Sequence, residues 1–112
     1  IGDSYTGFAE RPETSCEDLP KVTITHDPSA AFELEGTGLW FAAHTHCGQV
    51  SLPWLRSIIA PTSAPKTAHC GKYQDENLTV ITSSGIGKSI IPVRFYANSQ
   101  IEILTMKKSL LN

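Results

Sequence analysis

The sequence lacks several features that mark whole classes of protein. It has no Cys-x-x-Cys pair, no long run of like charges, and no apolar stretch of about 18 residues, which a membrane-spanning helix would need. Its nine Lys and Arg are scattered and its net charge is −2, so it offers nucleic acid no broad positive field. We therefore expect no nucleic-acid partner, no membrane span and no secretion signal in this chain.

Cysteine is scarce, and the three cysteines, Cys16, Cys47 and Cys70, are an odd number without the spacing of a disulfide framework. This pattern favours free thiols or a reducing compartment. For Cys47, beside His46, a small buried side chain is favoured over a soft metal ligand or a redox-sensitive thiol. Two locations stay open, namely the cytoplasm and a membrane reached through a segment outside this chain.

The composition, 40% hydrophobic and 18% charged, is that of an ordinary globular domain. Residues 22–25 are rich in β-branched side chains and predict a strand, and residues 29–35 predict a short helix that Asp27 helps to cap and Gly36 ends. A second strand is predicted at residues 41–43. Parallel strands joined by a helix bring their carboxyl ends to one edge of a sheet.

Three histidines follow these two predicted strands. His26 comes directly after the first strand, and His44 and His46 come after the second, on one side of an extended chain. Neutral imidazole nitrogens at a shared sheet edge suit zinc, manganese, iron or nickel. We therefore expect His26, His44 and His46 to be metal ligands.

Four motifs in the same order resemble the calcineurin-like metallophosphoesterases, specifically their bacterial membrane-associated phosphodiesterase branch. Residues 44–53, His-Thr-His-Cys-Gly-Gln-Val-Ser-Leu-Pro, are similar to the Gly-His-Thr-His-Gly-Gly-Gln-Val-x-Leu-Pro segment of that branch. Residues 26–28 resemble its His-x-Pro element, and residues 84–87 with 91–95 resemble its Gly-x-Gly and Pro-x-Arg-Phe tail. Alanine and cysteine replace the glycines that flank the histidine pair in the family, which leaves the ligands in place.

The resemblance implies that residues 1–112 are a single domain, the C-terminal part of a calcineurin-like phosphoesterase domain. The implied fold is α/β, half of a β-sandwich that is mostly β with a strand-helix-strand unit and short helices. The implied activity is hydrolysis of a phosphodiester or phosphomonoester with two divalent metal ions, which activate water and neutralise the phosphate. His26 and His44 would bind one metal (Mn, Fe, Zn or Ni) and His46 the other.

The other half of that site is not encoded here. The family's Asp-x-His, Gly-Asp-x-x-Asp and Gly-Asn-His-Glu motifs precede its His-x-Pro element, and this chain has no Asp-x-His and no Asn-His. Only 22 residues separate Asp3 from His26, too few for the intervening βαβ unit. We therefore expect a fragment whose partner is a missing N-terminal half. Alone it would be inactive, would bind no metal or one metal weakly, and would expose surface that favours a homodimer.

Two further segments are candidate substrate contacts. In the family branch, the segment corresponding to residues 53–65 is a variable loop beside the active site. The resemblance therefore assigns Trp54 and Leu55 to an apolar part of the substrate, with packing onto the domain as the alternative. Gly85 and Gly87 are expected to let the backbone approach the metal crevice.

The last third of the chain predicts an antiparallel sheet from its alternating pattern. The expected strands are residues 78–82, 93–96 and 101–106. Asn98 and Ser99 mark the last turn.

Two other interpretations stay open. An independent zinc-binding module would combine His44 or His46 with Cys47, Cys70 or His69, as thiolate and imidazole ligands suit tetrahedral zinc. A binding domain without metal is the second, and it predicts that replacing His44 and His46 leaves every property unchanged.

Overall fold

A computed structural model describes residues 20–50, 60–88 and 92–107, which form a four-stranded mixed sheet. The strands are β1 (Val22–Ile24), β2 (Gly38–Ala42), β3 (Gly71–Gln74) and β4 (Leu78–Thr82), in the order β1-β2-β4-β3. Strands β1, β2 and β4 are parallel, whereas β3 pairs antiparallel with β4. A short helix, α1 (Ser29–Glu33), and a 3₁₀ turn (Lys66–Ala68) complete the described elements. The α/β class is confirmed, and the second layer of the expected sandwich stays a prediction.

Strands β1 and β2 and helix α1 form the predicted strand-helix-strand unit. Val22 lies opposite Leu39, and Ile24 lies opposite Phe41, in parallel register. The pairing extends one step beyond both strands, because the Ala43 N–H donates to the His26 carbonyl at 3.0 Å. The carboxyl ends of the two strands therefore lie side by side, as predicted from the sequence.

Helix α1 ends in a Schellman motif, in which Glu35 rather than Gly36 adopts the left-handed backbone, with φ 49°. The Gly36 N–H donates to the Ala31 carbonyl at 2.8 Å, and the Glu35 N–H donates to the Phe32 carbonyl at 3.2 Å. Gly36 is required for space, because a Cβ there would lie 2.6 Å from Trp40 Cε2. Among the described residues, no helix is long and apolar enough to cross a bilayer.

The core lies between α1 and one face of the sheet. Its buried members are Ala30, Ala31, Trp40, Ala42, Leu78 and Val80. The Trp40 indole N–H donates to the Thr37 carbonyl at 3.0 Å, so burial leaves this polar atom satisfied. Small alanines on α1 therefore face the large indole of β2 across a close helix-sheet contact.

Strand β4 confirms the prediction at residues 78–82, and it lies between β2 and a strand, β3, that the sequence did not predict. Asp75 organises the turn between β3 and β4, since its carboxylate accepts the N–H groups of Asn77 at 3.0 Å and Leu78 at 2.8 Å. These backbone hydrogen bonds lower the pKa of Asp75. The hydrogen bond that the Tyr73 hydroxyl donates to Asp75 raises the pKa of Tyr73.

The two strands predicted at residues 93–96 and 101–106 are wrong. Residues 93–96 make one isolated parallel bridge, between Phe95 and Val50. Tyr96 has φ 54°, which turns the chain out of the extended conformation directly after this bridge. Residues 101–106 are irregular and exposed, and no described strand pairs with them.

Candidate metal-binding edge of the sheet

The carboxyl ends of the three parallel strands bring the candidate residues to one edge. His26 follows β1, His44 follows β2, and the glycine-containing loop 84–87 follows β4. The Ser83 N–H donates to the Ala42 carbonyl at 2.9 Å, so the parallel pairing continues to the end of β2. Open α/β sheets place their ligands at this edge.

His26 and His44 are in direct contact. Nε2 of His26 lies 2.7 Å from Nδ1 of His44, and the two rings meet edge to face with centroids 4.6 Å apart. One of these nitrogens carries a proton and the other accepts it. Because these two nitrogens lie side by side, the two rings have the donor chemistry of two imidazole ligands to a borderline divalent metal.

The second nitrogen of His44 is anchored by the protein. Nε2 lies 3.0 Å from the Pro61 carbonyl oxygen and 3.9 Å from Oδ2 of Asp27. A carbonyl oxygen only accepts, so Nε2 donates and Nδ1 presents its lone pair to His26. Histidines that bind metals typically donate their other ring N–H to a carbonyl or carboxylate in this way.

Asp27 is buried beneath this contact, with 2% of its surface exposed. Its Oδ1 accepts the Ser29 N–H at 2.8 Å, as predicted for a residue that caps α1. The same oxygen accepts the Thr62 hydroxyl at 2.5 Å, which holds the segment that carries Pro61 beside His44. The capping role was predicted from the sequence, whereas the link to residues 60–64 was missed because it joins residues far apart in the chain.

His46 faces a different group, the guanidinium of Arg94. Nη2 of Arg94 lies 3.3 Å from Nδ1 of His46 and donates to the Ser84 carbonyl at 2.7 Å. Arg94 also donates to the carbonyls of Gly87, from Nε at 3.0 Å, and of Ala97, from Nη1 at 3.1 Å. A guanidinium only donates, so Nδ1 of His46 accepts and the proton of the neutral ring lies on Nε2. Arg94 therefore fixes His46 against loop 84–87, a role that its place in the tail motif did not reveal.

The histidine turn, residues 44–48, has an unusual backbone. The φ angles are 55° at His44, 48° at His46 and 55° at Cys47, a left-handed conformation that costs a residue with a side chain about 1–2 kcal/mol. Such conformations persist where the surroundings hold them. One such contact comes from Thr45, whose hydroxyl donates to the His69 carbonyl at 2.7 Å and accepts the Cys47 N–H at 3.3 Å.

Cys47 and Cys70 are joined by a disulfide, with their Cα atoms 4.7 Å apart. The expectation of free thiols is therefore wrong for these two cysteines, and the argument for a reducing compartment loses its basis, since disulfides persist in oxidising surroundings. A zinc module built on Cys47 or Cys70 is also wrong, because each sulfur is bonded to the other instead of being a thiolate. Cys16 lies outside the described residues.

The structure describes two of the four candidate substrate contacts, Gly85 and Gly87. Gly87 lies beside His46, since a Cβ added there would be 3.8 Å from the His46 Cε1 atom. Gly85 has φ 60°, which favours glycine, and a Cβ there would meet nothing within 4 Å. Trp54 and Leu55 lie outside the described residues.

The structure brings two of the three predicted metal ligands together. His26 and His44 converge, whereas His46 contacts Arg94. Within residues 20–50, 60–88 and 92–107, no group of three or more His, Cys, Asp or Glu side chains is arranged to hold a metal ion. The pair of imidazoles therefore fits a metal ion in its donor chemistry but does not complete a coordination shell by itself.

Two curated proteins are similar to this chain. The uncharacterized metallophosphoesterase YkuE of Bacillus subtilis (strain 168) is 31% identical over 93 residues, which cover 81% of this chain and 32% of the relative. The phosphodiesterase YaeI of Escherichia coli (strain K12) is 24% identical over 108 residues, which cover 94% of this chain and 39% of the relative. No protein-family model and no solved structure matches the chain.

The fold and its sheet edge thus define an α/β protein with paired histidines where such sheets bind ligands. The chain is more specifically similar to a metallophosphoesterase and to a phosphodiesterase, in agreement with the calcineurin-like resemblance of its motifs. The chain spans between 32% and 39% of the length of these relatives.

Proposed function

We propose that this chain is the C-terminal portion of a divalent-metal-dependent phosphohydrolase that cleaves phosphodiesters or phosphomonoesters. His26 and His44 contribute ligands to one metal ion and His46 to a second. The supporting observation is the approach of His26 Nε2 to His44 Nδ1, at 2.7 Å, on the carboxyl edge of a parallel sheet. When bound, the two metals, Mn, Fe, Zn or Ni, activate water and neutralise charge on the phosphate.

The chain's own residues have distinct roles in this proposal. Nδ1 is the ligand atom of His44, because its Nε2 donates to the Pro61 carbonyl. Nε2 is the ligand atom of His26, because it lies 2.7 Å from His44 Nδ1, and on metal binding it gives up the proton that it donates to that nitrogen. Asp27 orients His44 from beneath, and Arg94 orients His46.

The substrate lies beside loop 84–87 in this proposal. Gly85 and Gly87 leave space there for a phosphate oxygen to approach the backbone. Trp54 and Leu55 contact the apolar part of the substrate. Both assignments follow the family resemblance and are tested by alanine substitution in an active, longer chain.

The isolated 112 residues have little or no activity in this proposal. Two converging nitrogens bind a divalent metal weakly or not at all, and ligands that act as a unit are lost together when half the site is missing. The missing N-terminal half is therefore the partner that completes the site, and a homodimer is the alternative assembly. Phosphodiesterase activity of the purified 112 residues with added metal would contradict the proposed inactivity. Sedimentation would then tell whether a second copy completes the site.

The central test uses a longer chain that restores an upstream half carrying Asp-x-His and Asn-His motifs. We expect it to hydrolyse bis-p-nitrophenyl phosphate with added Mn²⁺. Replacing His44 or His26 by alanine is expected to lower kcat/KM by about 100-fold or more, because a metal ligand is lost. The control is His69→Gln, since His69 bonds the Ala64 carbonyl at 2.8 Å and glutamine keeps an N–H donor.

A double variant, His44→Ala with His46→Ala, decides between this proposal and a binding domain without metal. Retained activity of the double variant in the longer chain would refute the metal proposal. Titration of the 112-residue chain with Co²⁺ adds a spectroscopic check. Strong charge-transfer bands would indicate thiolate ligation and contradict the half-site, whereas weak binding without such bands supports it.

A further inference from the structure

We propose that the Cys47–Cys70 disulfide is a thiol-disulfide exchange site that holds the histidine turn, and that its reaction partner is a dithiol reductant. The bond joins the residue after His46 to the segment that follows the 3₁₀ turn. Opening it releases the backbone of two candidate metal ligands, His44 and His46. The effect on metal binding rests on the proposed function, whereas the exchange reaction and the opening of the turn do not.

The disulfide is accessible from one side. Cys70 is exposed, while Cys47 is 9% exposed. Both cysteines line an open cavity of about 600 Å³, together with Lys66 and Tyr96. This volume admits a small dithiol or the tip of a loop that carries cysteines. Lys66 adds a positive charge that favours the approach of a thiolate.

The exchange is balanced in atoms and electrons. One thiolate of the reductant attacks the sulfur of Cys70, the exposed partner, and the Cys47 sulfur leaves with the electron pair and takes up a proton. The second thiol of the reductant then attacks the reductant sulfur that is bonded to Cys70 in the mixed disulfide, and Cys70 leaves as a thiolate. The dithiol is oxidised to a disulfide, and the chain gains two thiols.

Reduction changes the histidine turn because the disulfide stabilises the left-handed backbone of this turn. His46 and Cys47 are both left-handed, and the disulfide fixes the second of them to residue 70. After reduction, the hydrogen bond from the Thr45 hydroxyl to the His69 carbonyl still joins the turn to this segment, but the covalent constraint on Cys47 is gone. The turn then populates more open conformations, while the sheet retains its own ladders.

The test measures amide hydrogen exchange of the metal-free 112-residue chain by NMR, with and without dithiothreitol. A Cys16→Ser background leaves Cys47 and Cys70 as the reactive pair. We expect alkylation and mass measurement to count two new thiols after reduction. We also expect the Thr45 and Gly48 amides, bonded to Ala43 and Thr45 carbonyls, to exchange about tenfold faster or more. The amide of Val80 in β4 should not change, and reoxidation should restore the protection.

Three outcomes would overturn the proposal: no thiols released from the folded chain, unchanged exchange at Thr45 and Gly48, or equal acceleration at Val80. The last would mean that the bond supports the whole fold rather than the turn. A Cys47→Ser, Cys70→Ser variant is expected to match the reduced chain, and the reduction of the unsubstituted pair stands as the test if that variant does not fold. Because every readout is made without metal, failure here leaves the phosphoesterase proposal intact, and loss of that proposal leaves this result intact.

Discussion

At the scale of single residues, Arg94 connects parts of the site that lie far apart in the sequence. Its guanidinium contacts His46 and donates to the carbonyls of Ser84, Gly87 and Ala97. A planar group with five donors in fixed directions can serve all of these acceptors together. The Arg94 side chain thus holds three backbone carbonyls close to the His46 imidazole, whereas a surface cation contacts only solvent.

Replacing Arg94 by lysine tests this role. An ammonium is a compact donor that cannot span the separated carbonyls, so we expect a loss of about 2 kcal/mol in unfolding free energy and altered ring ¹⁵N shifts of His46. Urea unfolding and NMR give the two measurements. Lys72→Gln, at an exposed position of β3, is the control for loss of a positive charge. Wild-type stability together with wild-type His46 shifts in the lysine variant would show that Arg94 does not position His46.

At the scale of elements, the end of α1 shows how a helix stop and a strand are fitted together. Gly36 lies under the Trp40 indole of β2, where an added Cβ would be 2.6 Å from Cε2 and 2.8 Å from the Ala31 carbonyl oxygen. Glycine is thus required at position 36 because the helix and the strand approach each other closely there. The left-handed turn itself belongs to Glu35.

We expect Gly36→Ala to lower the unfolding free energy by about 1–3 kcal/mol, because the methyl group forces the indole or the helix end to move. Urea unfolding measures the change. The control is Gly87→Ala, since a Cβ at Gly87 would lie at an ordinary contact distance, 3.8 Å, from Cε1 of His46. Equal destabilisation by the two alanines would contradict the packing explanation.

At the scale of the whole molecule, several large apolar side chains are exposed. They include Ile24 on β1 and a group near the end of the described chain, Ile101, Ile103 and Met106. Ile101 and Ile103 are 78% and 88% exposed. Apolar surface of this kind promotes association, and the relatives are about three times as long as the segment they share with this chain.

We expect the double variant Ile101→Thr, Ile103→Thr to reduce self-association of the 112-residue chain without lowering its unfolding free energy by more than about 0.5 kcal/mol, since exposed side chains contribute little packing. Sedimentation over a range of concentrations measures the association. Ala30→Thr, at a fully buried position of α1, is the control that should destabilise the fold. A marked loss of stability in the double variant would show that residues 101 and 103 pack in solution.

The sequence predicted the parts of the site that depend on local chemistry and on the order of elements. β-branched residues and a capping aspartate were sufficient for the strand-helix-strand unit, although Glu35 rather than the expected Gly36 makes the left-handed turn that ends the helix. Parallel crossover then brought His26 and His44 to one edge. The strand at residues 78–82 was equally clear, but its parallel partner β2 was not. Alternation alone also suggested strands at 93–96 and 101–106, where no described sheet accepts them.

The sequence by itself thus determined the α/β class, the placement of His26 and His44 at one sheet edge, and the family resemblance. These depend on short-range patterns and on the order of motifs. Only the tertiary structure decided which groups lie against each histidine. The Pro61 carbonyl beside His44, Arg94 beside His46, and the bond between Cys47 and Cys70 all join residues at least 17 positions apart. No local pattern encodes such contacts, since they arise only when strands, turns and loops pack together.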